Sequence, residues 1–220
     1  MTKNGNAFIG CSLDSKLFTR EWVRYAIPYL LEHHNSVLFL IAEELLRYTR
    51  TLETGGSNFL NFSGATDQVN ERKDEFYKFL KSEISKLDTE TQKSISIRFW
   101  REMVDYRYTL LFRNLYISYL TIEPFNEIVK NRAMHHIQKH KELRLLPNAY
   151  YLNVAYILDE IAMSIKVTEF DNFKYEYYPM DQMDVISKLY NNEFHSFGLT
   201  IQNLINQKPS RVFSSLRLEV

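Results

Sequence analysis

Two short apolar runs near the N-terminus, separated by a helical pattern, constrain the fold most. The runs are AFIG (7–10) and SVLFLIA (36–42). The segment between them, from Thr19 to His33, has the pattern of a helix with Thr19 as its N-cap. A strand, a helix and a second strand in this order usually form a right-handed unit with parallel strands. The sequence therefore predicts an α/β protein with a parallel sheet flanked by helices.

The rest of the chain continues the alternation of strands and helices. Two further strands are predicted, SISIRFW (94–100) and FKYEYY (173–178). Helical patterns follow at 66–87, at 105–140 with a break at Pro124, and at 149–165, 182–193 and 198–207. The Gly/Ser-rich segment 55–64 is predicted to be a surface loop. Pro28 is predicted to kink or split the first helix. We find no internal repeat and expect residues 1–220 to form a single domain.

Composition narrows the classes of protein. The formal net charge is zero over 220 residues, which excludes a globally basic nucleic-acid-binding protein but leaves room for a local basic patch. Cys11 is the only cysteine, so no disulfide forms within the chain, which fits a reducing compartment. The chain has no apolar run of the roughly 18 residues that span a bilayer, and no secretory pattern. We therefore expect a cytoplasmic protein without a membrane span.

Cofactor-binding motifs are absent, which draws attention to a serine. Gly10 lacks the glycine partners of a dinucleotide fingerprint, and no phosphate loop of the GxxxxGK type exists. Ser12 is predicted to lie at the carboxyl end of the first strand, where parallel sheets bind ligands. Its hydroxyl could be a helix cap, a turn residue or a nucleophile. Cys11 is the rival nucleophile, but successive strand residues point to opposite faces, so the two side chains should not share a pocket.

The segment 149–165 predicts a helix that is apolar nearly all round and therefore buried. Asp159 and Glu160 nevertheless lie in its middle, and an isolated buried carboxylate costs several kcal/mol. Tyr156 precedes Glu160 by one turn, so the phenol and the carboxylate share a face. The pair suits an ammonium ligand; alternatively, Glu160 pairs with a Lys or Arg of a neighbouring helix.

Three short motifs together resemble those of the cyclodipeptide synthases. The first strand ends in Gly-x-Ser at Gly10–Ser12, and the buried helix carries Tyr-x-x-x-Glu from Tyr156 to Glu160. A further tyrosine, Tyr178, follows eighteen residues later, although the spacing also permits Tyr177. Pro179 comes next, as in the subgroup of the family with Tyr-Pro at this position.

This resemblance implies a Rossmann-like fold, similar to the catalytic domain of class I aminoacyl-tRNA synthetases. The implied activity makes a diketopiperazine from two aminoacyl-tRNAs, without a cofactor or metal. Ser12 would carry the first aminoacyl group, and Tyr156 and Glu160 would hold its α-ammonium. Tyr178 would orient the acyl group and relay a proton during cyclisation.

The resemblance also implies where the substrates bind. Phe8, Gly10 and Met163 would line the pocket for the first aminoacyl side chain, with Pro179 as a further substrate contact. Because these pocket residues are uncharged, we expect an apolar first amino acid, such as Leu, Phe or Met. Glu43 or Glu44, after the second strand, is a candidate to admit a polar second one.

Two basic segments are candidates for binding tRNA. The segment 130–144 includes Lys139, Lys141 and Arg144. The helical segment 66–87 includes Lys78 and Lys81, and the resemblance implies a basic face there. Either segment could instead be an ordinary solvated helix face.

The alternatives to cyclodipeptide synthesis are a serine-dependent hydrolase or acyltransferase acting on small esters and a non-catalytic tRNA- or protein-binding module. The hydrolase needs a His near Ser12, and no motif places one there. His136 and His140 have a zinc-like spacing but no accompanying ligand motif, so we expect no metal site. We expect a monomer or a weak homodimer.

Overall fold

A parallel sheet forms the centre of the protein. The computed structural model describes residues 3–13, 15–16, 18–53, 59–139, 143, 146, 148–178, 184–191, 193–194 and 212–215. Its strands are β1 (Asn6–Cys11), β2 (Val37–Ile41), β3 (Ile95–Phe99), β4 (Phe173–Tyr178) and β5 (Val212–Ser215). They form one five-stranded sheet in the order β3-β2-β1-β4-β5, and every pair is parallel. The predicted α/β class with a parallel sheet is confirmed.

The central strand β1 is the point at which the strand order reverses. It pairs with β2 on one side, Phe8 lying opposite Leu38, and with β4 on the other, Phe8 lying opposite Glu176. The chain therefore leaves β1 toward one edge of the sheet and later returns to its other side. In open parallel sheets, such a switch point leaves a crevice at the carboxyl ends of the strands, where ligands bind.

Helices surround the sheet. They are α1 (Arg20–His33), α2 (Glu43–Glu53), α3 (Phe59–Ile84), α4 (Thr89–Lys93), α5 (Tyr106–Thr121), α6 (Glu123–Lys139), α7 (Ala149–Ile165) and α8 (Asp184–Tyr190). A 3-10 turn, Trp100–Met103, follows β3, and a π-helical turn, Lys166–Phe170, follows α7. None of the helices formed by the described residues is long and apolar enough to cross a lipid bilayer.

The alternation of side chains along the strands divides the core between the two faces of the sheet. Phe8, Leu38 and Leu40 pack with residues of α2, α5, α6, α7 and α8. Ile9 and Phe39 point the other way and pack with residues of α1 and α3. All five residues of β2 are buried, as expected for a strand covered by helices on both faces.

The predicted helix boundaries follow the expected local chemistry. Thr19 caps α1 because its side-chain oxygen accepts a hydrogen bond of 3.2 Å from the backbone N–H of Trp22. Pro28 lies inside α1, which continues past it, so this helix is not split. Pro124 lies in the first turn of α6, where a missing N–H costs nothing, and the predicted break before this helix is confirmed.

Several parts of the sequence prediction were wrong or incomplete. Helices α2 and α4 were not predicted. Residues 59–64, predicted as part of a surface loop, form the first turns of α3. A single glycine in a long helix costs only about 1 kcal/mol, so Gly64 does not prevent the helix from forming. Strand β5 was missed, although its backbone pairs with β4. The predicted helix at 198–207 lies outside the described residues.

His34 lies just before β2 and links the residue that precedes β1 to a tyrosine of β4. Its Nδ1–H donates to the carbonyl oxygen of Gly5 at 3.0 Å, and its Nε2 accepts from the hydroxyl of Tyr177 at 2.7 Å. The carbonyl can only accept, so Nδ1 carries a proton. Burial lowers the pKa of His34, which favours a neutral ring.

The lowered pKa of His34 predicts a loss of stability in mild acid. The unfolded chain takes up a proton at His34 as the pH falls through about 6.5, whereas the folded protein resists it. The free energy of unfolding should therefore fall between pH 7.5 and pH ~5, and urea titrations across this range measure the slope. His34→Gln should be less stable at pH 7.5 but should flatten the slope. His135→Gln, on an exposed part of α6, should keep the wild-type slope. An unchanged slope in His34→Gln would contradict this account.

Candidate active site

Ser12 lies in the turn that follows β1, at the carboxyl edge of the sheet. Two backbone hydrogen bonds fix this turn: Ala42 N–H donates to the carbonyl of Cys11 at 3.0 Å, and Ser15 N–H to the carbonyl of Ser12 at 3.2 Å. Thr19 caps α1, so Ser12 is not that helix cap. Cys11 is fully buried on the α1 side of the sheet, and this burial raises the pKa of its thiol.

The side of Ser12 that faces α7 opens on a small cavity, which we call the inner cavity. Its volume is about 30 Å³, close to the volume of one water molecule in the liquid. The lining residues are Phe8, Gly10, Ser12, Leu40, Ala42, Leu45, Trp100, Glu160, Met163, Ser164 and Glu176. The structure thus brings five of the predicted site residues together: Phe8, Gly10, Ser12, Glu160 and Met163. Cys11 does not line this cavity, as the alternation of the strand predicted.

Gly10 keeps space open beside Ser12. A Cβ atom added at Gly10 would meet no heavy atom within 4 Å. Its backbone is not in the left-handed region that requires glycine. Neither packing nor backbone conformation therefore accounts for glycine here. The space that it leaves belongs to the inner cavity, next to the hydroxyl-bearing residue.

The inner cavity is not purely apolar, contrary to the expectation from its predicted lining. Glu176 on β4 and Ser164 on α7 also line it, and the hydroxyl of Ser164 donates to Glu176 Oε2 at 3.4 Å. The sequence analysis missed both residues. The sequence did contain a signal for Glu176, because a strand in the interior of a parallel sheet rarely carries a carboxylate.

Asp159 is one of the two carboxylates in the middle of α7, and its burial is balanced by hydrogen bonds. It is 5% exposed and accepts hydrogen bonds from the indole N–H of Trp100 at 2.9 Å and from the hydroxyl of Tyr108 at 2.5 Å. The hydroxyl of Tyr48 is a third donor. Burial raises the pKa of Asp159, while these donors favour its charged form. Asp159 therefore ties α7 to α2, to α5 and to the turn after β3, and leaves Glu160 facing the inner cavity.

The turn after β3 is held by a second buried carboxylate. Glu43 accepts from the backbone N–H groups of Trp100 at 2.8 Å and Arg101 at 2.9 Å. Burial raises the pKa of Glu43 against the effect of these hydrogen bonds. Glu44 pairs with Arg101 at 2.7 Å and with Arg47. Both carboxylates thus position Trp100 and its turn. Neither lines the inner cavity; both line a separate cavity of about 280 Å³. The predicted role of Glu43 or Glu44 in admitting a polar second amino acid stays a prediction.

Tyr156 lies one turn before Glu160 on α7 but does not line the inner cavity. Its half-buried ring packs edge to face against Tyr48, with 6.4 Å between the ring centroids. The structure therefore brings Glu160, rather than Tyr156, to the cavity shared with Ser12.

The late tyrosines of β4 differ in their surroundings. Tyr177 is buried on the α1 side of the sheet, where its hydroxyl meets His34. It is thus directed away from the inner cavity. The backbone of Tyr178 pairs with Ser215 of β5, whereas the side chain of Tyr178 and the whole of Pro179 lie outside what the structure describes.

A larger cavity, which we call the outer cavity, lies between the β1–α1 connection and α3. Its volume is about 630 Å³. The lining residues are Ser12, Leu13, Ser15, Phe18, Arg20, Arg72, Glu75, Phe76, Lys78, Phe79, Ser82 and Glu83. Ser12 lines both cavities and therefore lies where a small cavity meets a larger one.

The candidate tRNA-binding residues are distributed unequally around these cavities. Lys78 lines the outer cavity together with Ser12. Lys81, also on α3, is exposed and places its Nζ 5.7 Å from the ring centroid of Tyr77. Lys139 is exposed at the end of α6 and lines neither cavity, and Lys141 and Arg144 lie outside the described residues.

Neither cavity is lined by a histidine among the residues that the structure describes. In the same part of the chain, no group of three or more His, Cys, Asp or Glu side chains could hold a metal ion. His140 lies outside it, so its pairing with His136 is not tested. A Ser–His arrangement of the hydrolase type is therefore not found around Ser12.

Comparison with solved structures identifies the fold. A cyclodipeptide synthase (CDPS) from Fluoribacter dumoffii superposes with a TM-score of 0.75 at 13% identity, over 94% of this chain and 86% of that chain. AlbC, a cyclodipeptide synthase from Streptomyces noursei, gives 0.65 at 11% identity over 98% and 96% of the two chains. No protein-family profile matches the sequence, and no curated protein is significantly similar to it.

A third match relates the fold to translation enzymes. A Mycobacterium tuberculosis protein, whose structure relates cyclodipeptide synthetases to type I tRNA synthetases, gives a TM-score of 0.65 at 13% identity, over 84% and 78% of the two chains. The predicted Rossmann-like fold, similar to the class I synthetase catalytic domain, is thereby confirmed. At these identities the comparisons establish the fold that the chain shares with these proteins.

Proposed function

We propose that this protein is a cyclodipeptide synthase that makes a diketopiperazine from two aminoacyl-tRNAs. The observation that carries the proposal is the position of Ser12. Its residue lines the inner cavity, which contains Glu160, and also the outer cavity, which contains Lys78. The shared fold with cyclodipeptide synthases supports the same conclusion. Aminoacyl-tRNA is made in the cytoplasm, so we expect the protein to act there.

In the first step, Ser12 accepts an aminoacyl group from tRNA. The serine oxygen attacks the carbonyl carbon of the aminoacyl ester and forms a new ester. The bond from that carbon to the tRNA ribose oxygen breaks, and the serine proton ends on the leaving ribose oxygen. The ester is already activated, so the step needs no ATP, cofactor or metal. No histidine among the residues that the structure describes lines either cavity, which favours this route over a hydrolase with a serine–histidine pair.

Glu160 is proposed to hold the α-ammonium of the bound aminoacyl group. It lines the inner cavity with Ser12, and a carboxylate in an apolar cavity is a strong partner for an ammonium ion. Tyr156 lies one turn away on α7 and packs against Tyr48, so its proposed role is to hold this part of α7, and with it Glu160, in position. Glu160 would later accept a proton from the ammonium, which makes the amine a nucleophile.

In the second step, the outer cavity presents the second aminoacyl-tRNA. The amine of the first aminoacyl group attacks the second ester, releases the second tRNA and leaves a dipeptide on Ser12. The new terminal amine then attacks the Ser12 ester, which closes the ring and frees the serine. Tyr178 is proposed to orient the acyl group and to relay a proton during this cyclisation. Its sequence neighbour Pro179 favours the Tyr-Pro subgroup of the family.

The inner cavity must enlarge when it receives an aminoacyl side chain, because its volume is only about 30 Å³. Met163 is the lining residue best suited to adapt, since a methionine side chain has three rotatable bonds and packs in many shapes.

The nucleophile assignment predicts that Ser12→Ala abolishes product formation. Purified protein is mixed with aminoacyl-tRNAs, and diketopiperazines are measured by mass spectrometry. We expect the Ser12→Ala rate to fall by on the order of a thousandfold or more, because no acyl-enzyme can form. Cys11→Ala is the matched control, since this neighbour faces the opposite side of the sheet, and it should retain activity. Wild-type turnover by Ser12→Ala would refute the assignment.

The tRNA proposal predicts different effects for two lysines. Lys78→Ala should weaken tRNA binding and reduce the slope of log affinity against log salt by about 1, because one phosphate contact is lost. Lys139→Ala, an exposed lysine away from both cavities, should leave affinity and slope unchanged. Filter binding of tRNA at several salt concentrations measures both values. The opposite pattern, with the effect confined to Lys139, would move the tRNA site to α6.

A further inference from the structure

Three phenylalanines form an aromatic cluster along the outer cavity. Phe18 from the β1–α1 connection and Phe76 and Phe79 from α3 all line this cavity. Their rings meet edge to face: 6.3 Å separate the centroids of Phe18 and Phe76, and 6.1 Å separate those of Phe76 and Phe79. All three residues are only partly buried. An exposed apolar surface of this kind, bordered by polar residues, is typical of a binding site.

We propose that this aromatic cluster binds the terminal nucleoside of the aminoacyl-tRNA, with its base stacked on the phenylalanine rings. The inference rests on the proposed function and deepens it, because it names the part of the tRNA that the outer cavity receives. Proteins commonly recognise unpaired nucleotides by stacking their bases on aromatic rings or on the plane of an arginine guanidinium group. The nucleoside that carries the amino acid is unpaired in tRNA, so its base can stack in this way.

The covalent structure of the substrate determines where this nucleoside must lie. The aminoacyl group is esterified to its ribose, so the nucleoside lies directly beside Ser12 when the ester is attacked. Ser12 lines two cavities, and the inner one, at about 30 Å³, has room for about one water molecule. The outer cavity, at about 630 Å³, falls within the range of roughly 300–1,000 Å³ that is usual for small-molecule sites. The nucleoside therefore belongs in the outer cavity.

The basic residues of the outer cavity suit the phosphate groups that adjoin this nucleoside. Arg20 places its guanidinium carbon 5.3 Å from the ring centroid of Phe79, so a cation borders the aromatic cluster. Lys78 lines the same cavity and lies on α3 between Phe76 and Phe79. The aromatic rings and the cations thus alternate along one surface, an arrangement typical of sites that bind single-stranded nucleic acid.

The two acidic residues of the outer cavity are both paired with basic ones. Glu83 accepts hydrogen bonds from Arg24 at 3.1 Å and from Lys86 at 2.7 Å. Glu75 pairs with Arg72 at 3.4 Å. These ion pairs reduce the repulsion that the two carboxylates would exert on a phosphate group.

Packing and stacking make different demands on the aromatic cluster, and this difference allows a test. A leucine at Phe76 would still pack against apolar neighbours, but it has no aromatic face on which a base can stack. The test compares the affinities of two uncharged tRNAs, one complete and one that lacks the terminal nucleoside. Filter binding at one low salt concentration measures both affinities. For the wild type, we expect the loss of the nucleoside to weaken binding by roughly 5- to 100-fold, the range that stacking of one base supplies.

Two variants remove aromatic rings, and a control removes a ring elsewhere on α3. In Phe76→Leu and in Phe18→Leu, loss of the terminal nucleoside should weaken binding by at most about twofold, because the stacking is already lost. Tyr77→Leu should keep the wild-type difference, since the ring of Tyr77 packs against Phe99 and does not line the outer cavity. Lys78→Ala should weaken the binding of both tRNAs equally, because it removes a phosphate contact. Urea titrations identify the variants that remain folded.

The outcomes separate this inference from the proposed function. If the wild type binds both tRNAs equally well, or if the folded leucine variants keep the full difference between them, the inference is wrong while the proposed function stands. A wild-type protein that binds neither tRNA would contradict both.

Discussion

The architecture around the candidate site depends on the buried carboxylate of Asp159. Left alone inside the protein, this group would cost several kcal/mol. Trp100 and Tyr108 donate to it, and through these hydrogen bonds α7 is joined to the turn after β3 and to α5. The same arrangement turns the next residue, Glu160, toward the inner cavity and holds the indole of Trp100 at its wall. One satisfied carboxylate thus positions another at the wall of the inner cavity.

The sheet topology places Ser12, the proposed nucleophile, where two cavities of different character meet. Because the strand order reverses at β1, the turn after this strand opens on the crevice of the sheet. On one side lies the inner cavity, small and lined by apolar residues and carboxylates; on the other lies the outer cavity, wide and lined partly by Arg20, Arg72 and Lys78. This division suits a substrate with a small reacting group on a large polyanion. Under the proposed function, the aminoacyl end would enter the first space, which must enlarge to receive it, and the nucleic acid would lie along the second.

Periodicity was enough to predict the sheet but not all of the site. Four of the five strands and the helices α1, α3, α5, α6, α7 and α8 were predicted, because buried parallel strands and amphipathic helices have clear patterns, whereas α2 and α4 were not predicted. The convergence of Ser12 and Glu160 was also predicted, but only through the resemblance of motifs far apart in the chain. The partners of Asp159 could not be predicted, because Tyr48, Trp100 and Tyr108 reach it from separate elements. Glu176 was missed because strand alternation reveals a face but not what lies opposite it.

The central claim is that the space beside Gly10 receives the aminoacyl group, and Gly10→Ala tests it most directly. A methyl group there meets no heavy atom within 4 Å, so the free energy of unfolding should stay within about 1 kcal/mol of the wild type. The methyl group would nevertheless occupy the space next to Ser12. We therefore predict that the rate of aminoacyl transfer to Ser12, followed by intact-protein mass spectrometry, falls by on the order of a hundredfold. Transfer at the wild-type rate in a folded Gly10→Ala protein would contradict the account.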